Sequence, residues 1–167
     1  MRYIVISLII GAAVVAWLLL TPKPLRQGET APSFVLPTMK GRLFDLDTYE
    51  GKTVSLVFFS PSDDDARTLF RDFRYVTDAY RSSPNVKFLA VAVDGTPQRV
   101  SMFMSQFNFP GEILCDMDHQ LVDAYRLSSF PTVYVLDREL TVKYVVKGWK
   151  KDFVRELIPA IRRVAGK

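Results

Sequence analysis

Residues 53–80 read TVSLVFFSPSDDDARTLFRDFRYVTDAY, and the spacing of apolar residues changes within this stretch. Thr53–Phe59 is β-branched and apolar, follows Gly51 and is too short for a helix, so it predicts a buried strand. After Ser62, apolar residues recur at steps of three and four, which predicts an amphipathic helix with Ser62 as its N-cap. The residues of this apolar face are Ala66, Leu69, Phe70, Phe73, Val76 and Tyr80.

The segments that follow continue the alternation of strand and helix. Residues 86–93 predict a second buried strand, and Thr96-Pro97 opens a second helix with Thr as cap and Pro in the first turn. Further elements are expected as strands over 112–115, 132–136 and 142–146, and as helices over 119–125 and 151–164, the last bent by Pro159. This order predicts an α/β sandwich, a mixed central sheet with helices on both faces.

Composition limits the classes of function. The chain has 167 residues, of which 49% are apolar and 13% aromatic, enough for one packed domain and a short additional segment. The net charge of +4 is too weak to indicate nucleic-acid binding. It is compatible with an anionic membrane surface or an acidic partner.

The N-terminus predicts a membrane anchor. Residues 3–20 carry no charge and as a helix would span about 27 Å, close to the hydrocarbon thickness of a bilayer. Arg2 leaves a secretory signal peptide as the competing interpretation, but no small-x-small cleavage site follows. We therefore expect a single transmembrane helix over 1–20, a linker with two prolines over 21–30 and a domain over 31–167. Basic residues on the two sides of the helix nearly balance, so they do not decide its orientation.

The sequence contains one cysteine, Cys115, and one histidine, His119. A single cysteine cannot form an internal disulfide, and these two residues are too few for a Cys/His zinc site. We therefore expect no intramolecular dithiol–disulfide cycle, no cofactor and no bound metal.

Three motifs in order resemble the redoxin group of the thioredoxin-like superfamily, which includes TlpA-like thiol-disulfide proteins and AhpC/TSA-type peroxiredoxins. GETAPSF at 28–34, with Leu36-Pro37, resembles the opening pattern G-x-x-A-P-x-F-x-L-P. GKTV at 51–54 with LVFF at 56–59 is similar to G-K-x-V-x-L-x-F-W, and SSFPTVYVLD at 128–137 to G-V-P-T-T-F-L-I-D. The resemblance implies a thioredoxin-like sandwich and a cis Pro131 facing the active site. Because TlpA-like proteins carry an N-terminal anchor, it also implies a domain in the periplasm or on the exterior side of the cytoplasmic membrane.

The resemblance fails at the residues that perform the chemistry. Where the family has W-C-x-x-C, this chain has Ser60-Pro61-Ser62-Asp63-Asp64-Asp65-Ala66. Asp63 takes the position of the attacking cysteine and Ala66 that of the resolving one. A peroxiredoxin register would place the reactive cysteine near Thr68, and residues 1–114 contain no cysteine. The site is therefore predicted to be degenerate, because neither a carboxylate nor a methyl group exchanges disulfides.

Several residues have a structural interpretation beside a functional one. Asp63, Asp64 and Asp65 suit the positive end of a helix, with an acidic docking patch or a metal site as alternatives. Cys115 fits a structural thiol, with an intermolecular disulfide or a lone reactive thiol as the alternative. The stripes Arg67-Arg71-Arg74 and Lys151-Arg155-Arg162 fit solvated faces, with lipid headgroups or an acidic partner as the alternative.

We therefore expect a membrane-anchored, redox-inactive thioredoxin-like module that serves as an interaction, accessory or assembly subunit of a membrane protein complex. The candidate docking residues are Ser60, Pro61, Ser62, Asp63, Asp64, Asp65, Phe130 and Pro131. The alternative is a thiol oxidoreductase or peroxide-scavenging protein that uses Cys115. A metal chaperone is a third class, but the chain lacks the cysteine pair that such carriers use.

Overall fold

The computed structural model describes residues 25–166. The strands are β1 (Val35–Pro37), β2 (Leu43–Asp45), β3 (Thr53–Phe59), β4 (Val86–Ala92), β5 (Glu112–Cys115), β6 (Thr132–Leu136) and β7 (Val142–Lys147). The helices are α1 (Asp64–Ala79), α2 (Pro97–Met104), α3 (Gln120–Ala124) and α4 (Phe153–Ala165), with a 3-10 turn at Leu46–Tyr49.

A five-stranded mixed sheet forms the centre of the domain, in the order β5-β4-β3-β6-β7. Strands β3, β4 and β5 run parallel, and β6 runs antiparallel to β3 with Phe58 opposite Thr132. The carboxyl ends of β3, β4 and β5 therefore meet the start of β6 at one edge of the sheet. We call this the site edge.

Alternating side chains of β3 divide the core into two layers. Val57 and Phe59 face the layer formed with α1, α2 and α4, and Leu56 and Phe58 face the opposite layer. That opposite layer is closed by α3 and by the β1–β2 hairpin with its flanking residues. The α/β sandwich predicted from the alternation of strand and helix is confirmed.

Local predictions hold with small shifts at element ends. Strand β3 has the predicted bounds and Thr96 caps α2, where its side chain accepts a hydrogen bond from the Arg99 N–H. The prediction that Ser62 caps α1 is wrong, because Asp63 is the N-cap. The last helix begins at Phe153 rather than at residue 151 and continues through Pro159.

Residues 25–30, which the sequence assigns to a linker, pack on the domain. Leu25 is 3% exposed and its N–H donates to the Tyr125 carbonyl at 3.4 Å, while the Gly28 N–H donates to the Val142 carbonyl at 2.8 Å. Residues 28–30 therefore lie beside the start of β7, at one side of the sheet, whereas Leu25 lies in the core layer closed by α3. None of the helices between residues 25 and 166 has the length and apolarity to span a bilayer. The predicted anchor over 1–20 lies outside the described residues.

Candidate functional site

A cavity of about 420 Å³ opens at the site edge. It is lined by Ser60, Ser62, Asp63, Val93, Asp94, His119, Val122 and Phe130. Four of the predicted docking residues, Ser60, Ser62, Asp63 and Phe130, therefore share one cavity. Of the other four, Pro61 and Pro131 are buried, Asp64 and Asp65 are exposed, and none of them lines it.

Asp63 is engaged by the helix that follows it. Its backbone is extended (φ −95°, ψ 126°), and its Oδ1 accepts a hydrogen bond from the Asp65 N–H at 2.9 Å. Asp64 and Asp65 lie in the first turn of α1, where negative charge faces the positive end of the helix. The capping interpretation accounts for these carboxylates, and Ala66 is fully buried beneath them.

A hydrogen-bonded pair fixes the loop between β3 and α1. The Ser60 hydroxyl donates to Asp94 Oδ2 at 2.9 Å and accepts from the Ser62 N–H at 3.1 Å. Asp94 Oδ1 is buried and forms no hydrogen bond within residues 25–166. Sequence reasoning missed Asp94, although a polar residue just after β4 must lie near the end of β3 when the two strands are parallel.

The Phe130–Pro131 peptide bond is cis, as the resemblance implied. Two hydrogen bonds hold this segment at the start of β6. The Pro131 carbonyl accepts from the Gly148 N–H at 2.7 Å, and the Thr132 hydroxyl donates to the Ser129 carbonyl at 2.7 Å. Phe130 is half-buried, packs against the core layer closed by α3 and lines the cavity.

Cys115 lies apart from the cavity at the end of β5. It is 6% exposed, and its Sγ is 3.3 Å from Met39 Sδ. Desolvation by the surrounding core raises the pKa of the Cys115 thiol, which disfavours the reactive thiolate. These features fit a structural thiol and weigh against the alternative in which Cys115 is a reactive group.

His119 and its acidic neighbours also have a structural explanation. Asp116 is buried, and its Oδ2 accepts hydrogen bonds from the N–H groups of Leu121 and Val122 at the start of α3. His119 adopts a left-handed conformation (φ 55°) in the turn before that helix and lies beside Asp63 and Asp94 in the cavity lining. Within residues 25–166, no three His, Cys, Asp or Glu side chains cluster closely enough to hold a metal ion.

Comparison with known proteins agrees with this geometry. Residues 27–145 match the AhpC/TSA family. The thiol-disulfide oxidoreductase ResA of Geobacillus kaustophilus is 31% identical over 134 residues, which cover 78% of this chain and 75% of that protein. The ResA of Bacillus subtilis is 32% identical over 126 residues, covering 73% of this chain and 68% of that protein.

The fold is also similar to a solved structure. A Chlorobium tepidum protein described as thiol:disulfide interchange protein DsbE superposes with a TM-score of 0.78 at 23% identity. The match covers 85% of this chain and 99% of that protein. The chain belongs to the AhpC/TSA family and has a thioredoxin-like fold.

Proposed function

We propose that the chain is a redox-inactive thioredoxin-like module that docks a partner protein at its site edge. This proposal rests on the residues found where the family has its two cysteines, which are Asp63 and Ala66 in this chain. At the start of α1, the positive end of the helix would lower the pKa of a thiol and populate the attacking thiolate. Here the attacking position holds the Asp63 carboxylate, which accepts a hydrogen bond from the helix backbone. The resolving position, one turn later, holds the buried methyl group of Ala66.

The loss of dithiol chemistry follows from the reaction itself. Disulfide exchange proceeds by attack of a thiolate on a sulfur through a mixed disulfide, which a second thiol resolves. Cys115 offers neither role at the site edge, because it lies outside the cavity lining and is buried. We therefore propose that the oxidoreductase activity in the names of the relatives does not extend to this chain.

The preserved scaffold supports a binding role. The cis Pro131 segment, Phe130 and the Ser60–Asp94 hydrogen bond lie together at the shallow cavity of the site edge. A predicted anchor over residues 1–20 would hold this cavity near other membrane proteins and raise its effective concentration for them. We therefore propose a single-pass protein of the cytoplasmic membrane, with its domain in the periplasm or on the exterior side, serving as an accessory or assembly subunit.

Redox inactivity is tested by insulin reduction. The full chain in mild detergent is expected to leave the rate of insulin precipitation by dithiothreitol unchanged. The matched control is the double variant Asp63→Cys with Ala66→Cys, which restores a cysteine pair at the start of α1 and is expected to accelerate the reaction. Acceleration by the wild-type chain would contradict the proposal.

Docking is tested by a photo-crosslinking amino acid placed at Phe130 in the full chain in its native membranes. Adducts with one membrane protein are expected from position 130. The control position is Leu43, which is 77% exposed and lies outside the lining of the cavity. Failure to form adducts at 130, or an equal pattern from 43, would refute docking at the site edge.

A further inference from the structure

A second cavity of about 390 Å³ lies between α1 and the segment that joins α2 to β5. Its lining consists of Arg67, Phe70, Arg71, Phe73, Arg74, Thr77, Gln106, Phe107, Asn108 and Phe109. The lining therefore combines three arginines with four phenylalanines and contains no acidic residue. We call this cavity the arginine groove.

The floor of the arginine groove is a packed aromatic cluster. Phe70 contacts Phe107 and Phe109 with ring centroids 5.6 and 5.7 Å apart, and Phe109 lies 5.9 Å from Phe73. Gly111 holds this segment against β4, because a Cβ there would lie 2.0 Å from the Phe88 carbonyl oxygen. The floor is therefore preorganised, and Phe107 and Phe109 stay partly exposed on it.

The arginines are positioned along one side of this floor. Arg67 is oriented by Gln106, whose Oε1 accepts from Nη1 at 2.6 Å, and its guanidinium lies 5.5 Å from the Phe103 ring centroid. The Arg74 guanidinium stacks over the Tyr75 ring at 4.6 Å and donates to the Tyr75 hydroxyl at 2.7 Å, so Tyr75 engages it. Arg71 is exposed and forms no ion pair or side-chain hydrogen bond within residues 25–166. Like charges at this helical spacing repel one another, so the stripe favours an external anion.

The acidic residues Asp72 and Asp78 of α1 attract the guanidinium of Arg74 and also have partners of their own. Asp72 accepts a hydrogen bond from the Trp149 indole N–H at 2.9 Å, and Asp78 pairs with Arg81 at 2.7 Å. Neither aspartate belongs to the lining. Arg71, which has no such partner within residues 25–166, therefore presents its positive charge to whatever occupies the groove.

We propose that the arginine groove binds an acidic segment of a partner protein that also carries an aromatic side chain. A carboxylate of that segment pairs with Arg71, since guanidinium and carboxylate form bidentate hydrogen bonds. Its aromatic side chain packs on Phe107 and Phe109. This binding is independent of docking at the site edge, because the two cavities share no lining residue.

The position of the groove favours a protein segment over lipid headgroups. Leu25 is buried in the core layer closed by α3, and the Gly28 N–H donates to the Val142 carbonyl at the start of β7. The floor residues Phe70 and Phe73 of the groove belong to the other core layer, on the α1 side of the sheet. The groove is bordered by the segment leading into β5, the strand at the opposite side. A chain anchored through its N-terminus therefore has its groove on the side of the sheet away from the point of attachment.

The test uses the full chain in phosphatidylcholine nanodiscs and a fluorescent hexapeptide, EFDEFE, with QFNQFQ as its uncharged counterpart. Peptide binding is measured by fluorescence anisotropy. Contact of the peptide with the groove is measured by NMR, as chemical-shift changes of the Phe107 and Phe109 backbone amides. We expect EFDEFE to bind, Arg71→Glu and Arg71→Ala each to weaken binding at least tenfold, and QFNQFQ to bind at least tenfold more weakly. Binding is also expected to weaken as salt rises from about 0.05 to about 0.5 M.

Arg155→Glu is the matched control, because it reverses the same charge on an exposed residue of α4 outside the groove. It is expected to leave EFDEFE binding unchanged, and thermal unfolding checks that every variant is folded. Equal affinity for both peptides, or equal losses with Arg71→Glu and Arg155→Glu, would overturn the proposal. The measurement is repeated in nanodiscs that also contain phosphatidylglycerol. Chemical-shift changes of Phe107 and Phe109 that depend on this lipid and not on the peptide would assign the groove to lipid and overturn the proposal as well.

Discussion

Replacing Asp63 by Ala measures how far this residue serves the helix rather than a ligand. The change removes the 2.9 Å hydrogen bond from the Asp65 N–H and one negative charge at the start of α1. Loss of an N-cap costs about 1 kcal/mol, and loss of a charge at a helix end costs about 0.3–1 kcal/mol. The expected decrease in the free energy of unfolding is therefore about 1.5 kcal/mol. For a domain of this size it corresponds to a melting temperature lower by about 4–6 °C.

Two further variants separate the hydrogen bond from the charge. Asp63→Asn keeps an oxygen that accepts from the Asp65 N–H, so only the charge contribution of about 0.3–1 kcal/mol is lost. Asp64→Asn removes a charge from the same turn, where the Asp64 side chain forms no capping bond. We expect Asp63→Asn and Asp64→Asn to lower the melting temperature by similar amounts, and Asp63→Ala by at least twice as much.

The assay is thermal unfolding of the full chain in detergent, followed by circular dichroism. A melting temperature that is unchanged or higher in Asp63→Ala would refute the reasoning. Such a result would mean that the Asp63 carboxylate does not stabilise the folded state, as expected for a residue that serves binding instead.

Further predictions concern packing, thiol reactivity and pH. Gly111→Ala places a Cβ 2.0 Å from the Phe88 carbonyl oxygen, so urea unfolding is expected to show a loss of about 3 kcal/mol or more. Cys115 is expected to react with a thiol reagent at least tenfold more slowly than free cysteine and to reach the free rate in urea, since burial raises its pKa; fast labelling of the folded chain would contradict this. Desolvation raises the pKa of Asp137, but hydrogen bonds from Lys143 and from backbone N–H groups outweigh it and leave the pKa below its ordinary value. The wild-type chain is therefore expected to have a higher free energy of unfolding than Asp137→Asn. This difference should be complete above about pH 4 and lost as pH falls through the lowered pKa of Asp137. Urea unfolding at several pH values would measure it.

Local patterns were sufficient for the elements and the fold class. The apolar run of Thr53–Phe59 and the helical spacing after it depend only on neighbours along the chain, and the structure confirms both. The resemblance of three motifs to the redoxin group implied a thioredoxin-like sandwich and a cis peptide bond before Pro131, and the structure has both. The absence of a cysteine at the start of α1 needs no structure, because it is a count of residues.

Element ends and the composition of the site were decided by tertiary structure. Ser62 and Asp63 are both good N-caps, and only the backbone conformation shows that the Asp63 side chain accepts the N–H of the first turn. The cavity brings Asp94 and His119 beside Ser60 because β3, β4 and β5 end at the same edge. Nothing in the local sequence of β4 identifies its neighbour in the sheet.

The arginine stripe shows the same division. The sequence by itself determined that Arg67, Arg71 and Arg74 share one face of a helix, since the period of an α-helix is fixed by its backbone. Only the tertiary structure placed Phe107 and Phe109 beside that face, through the close approach that Gly111 permits to Phe88. Periodicity along the chain determines which residues share a face, whereas strand order and loop packing decide what that face meets.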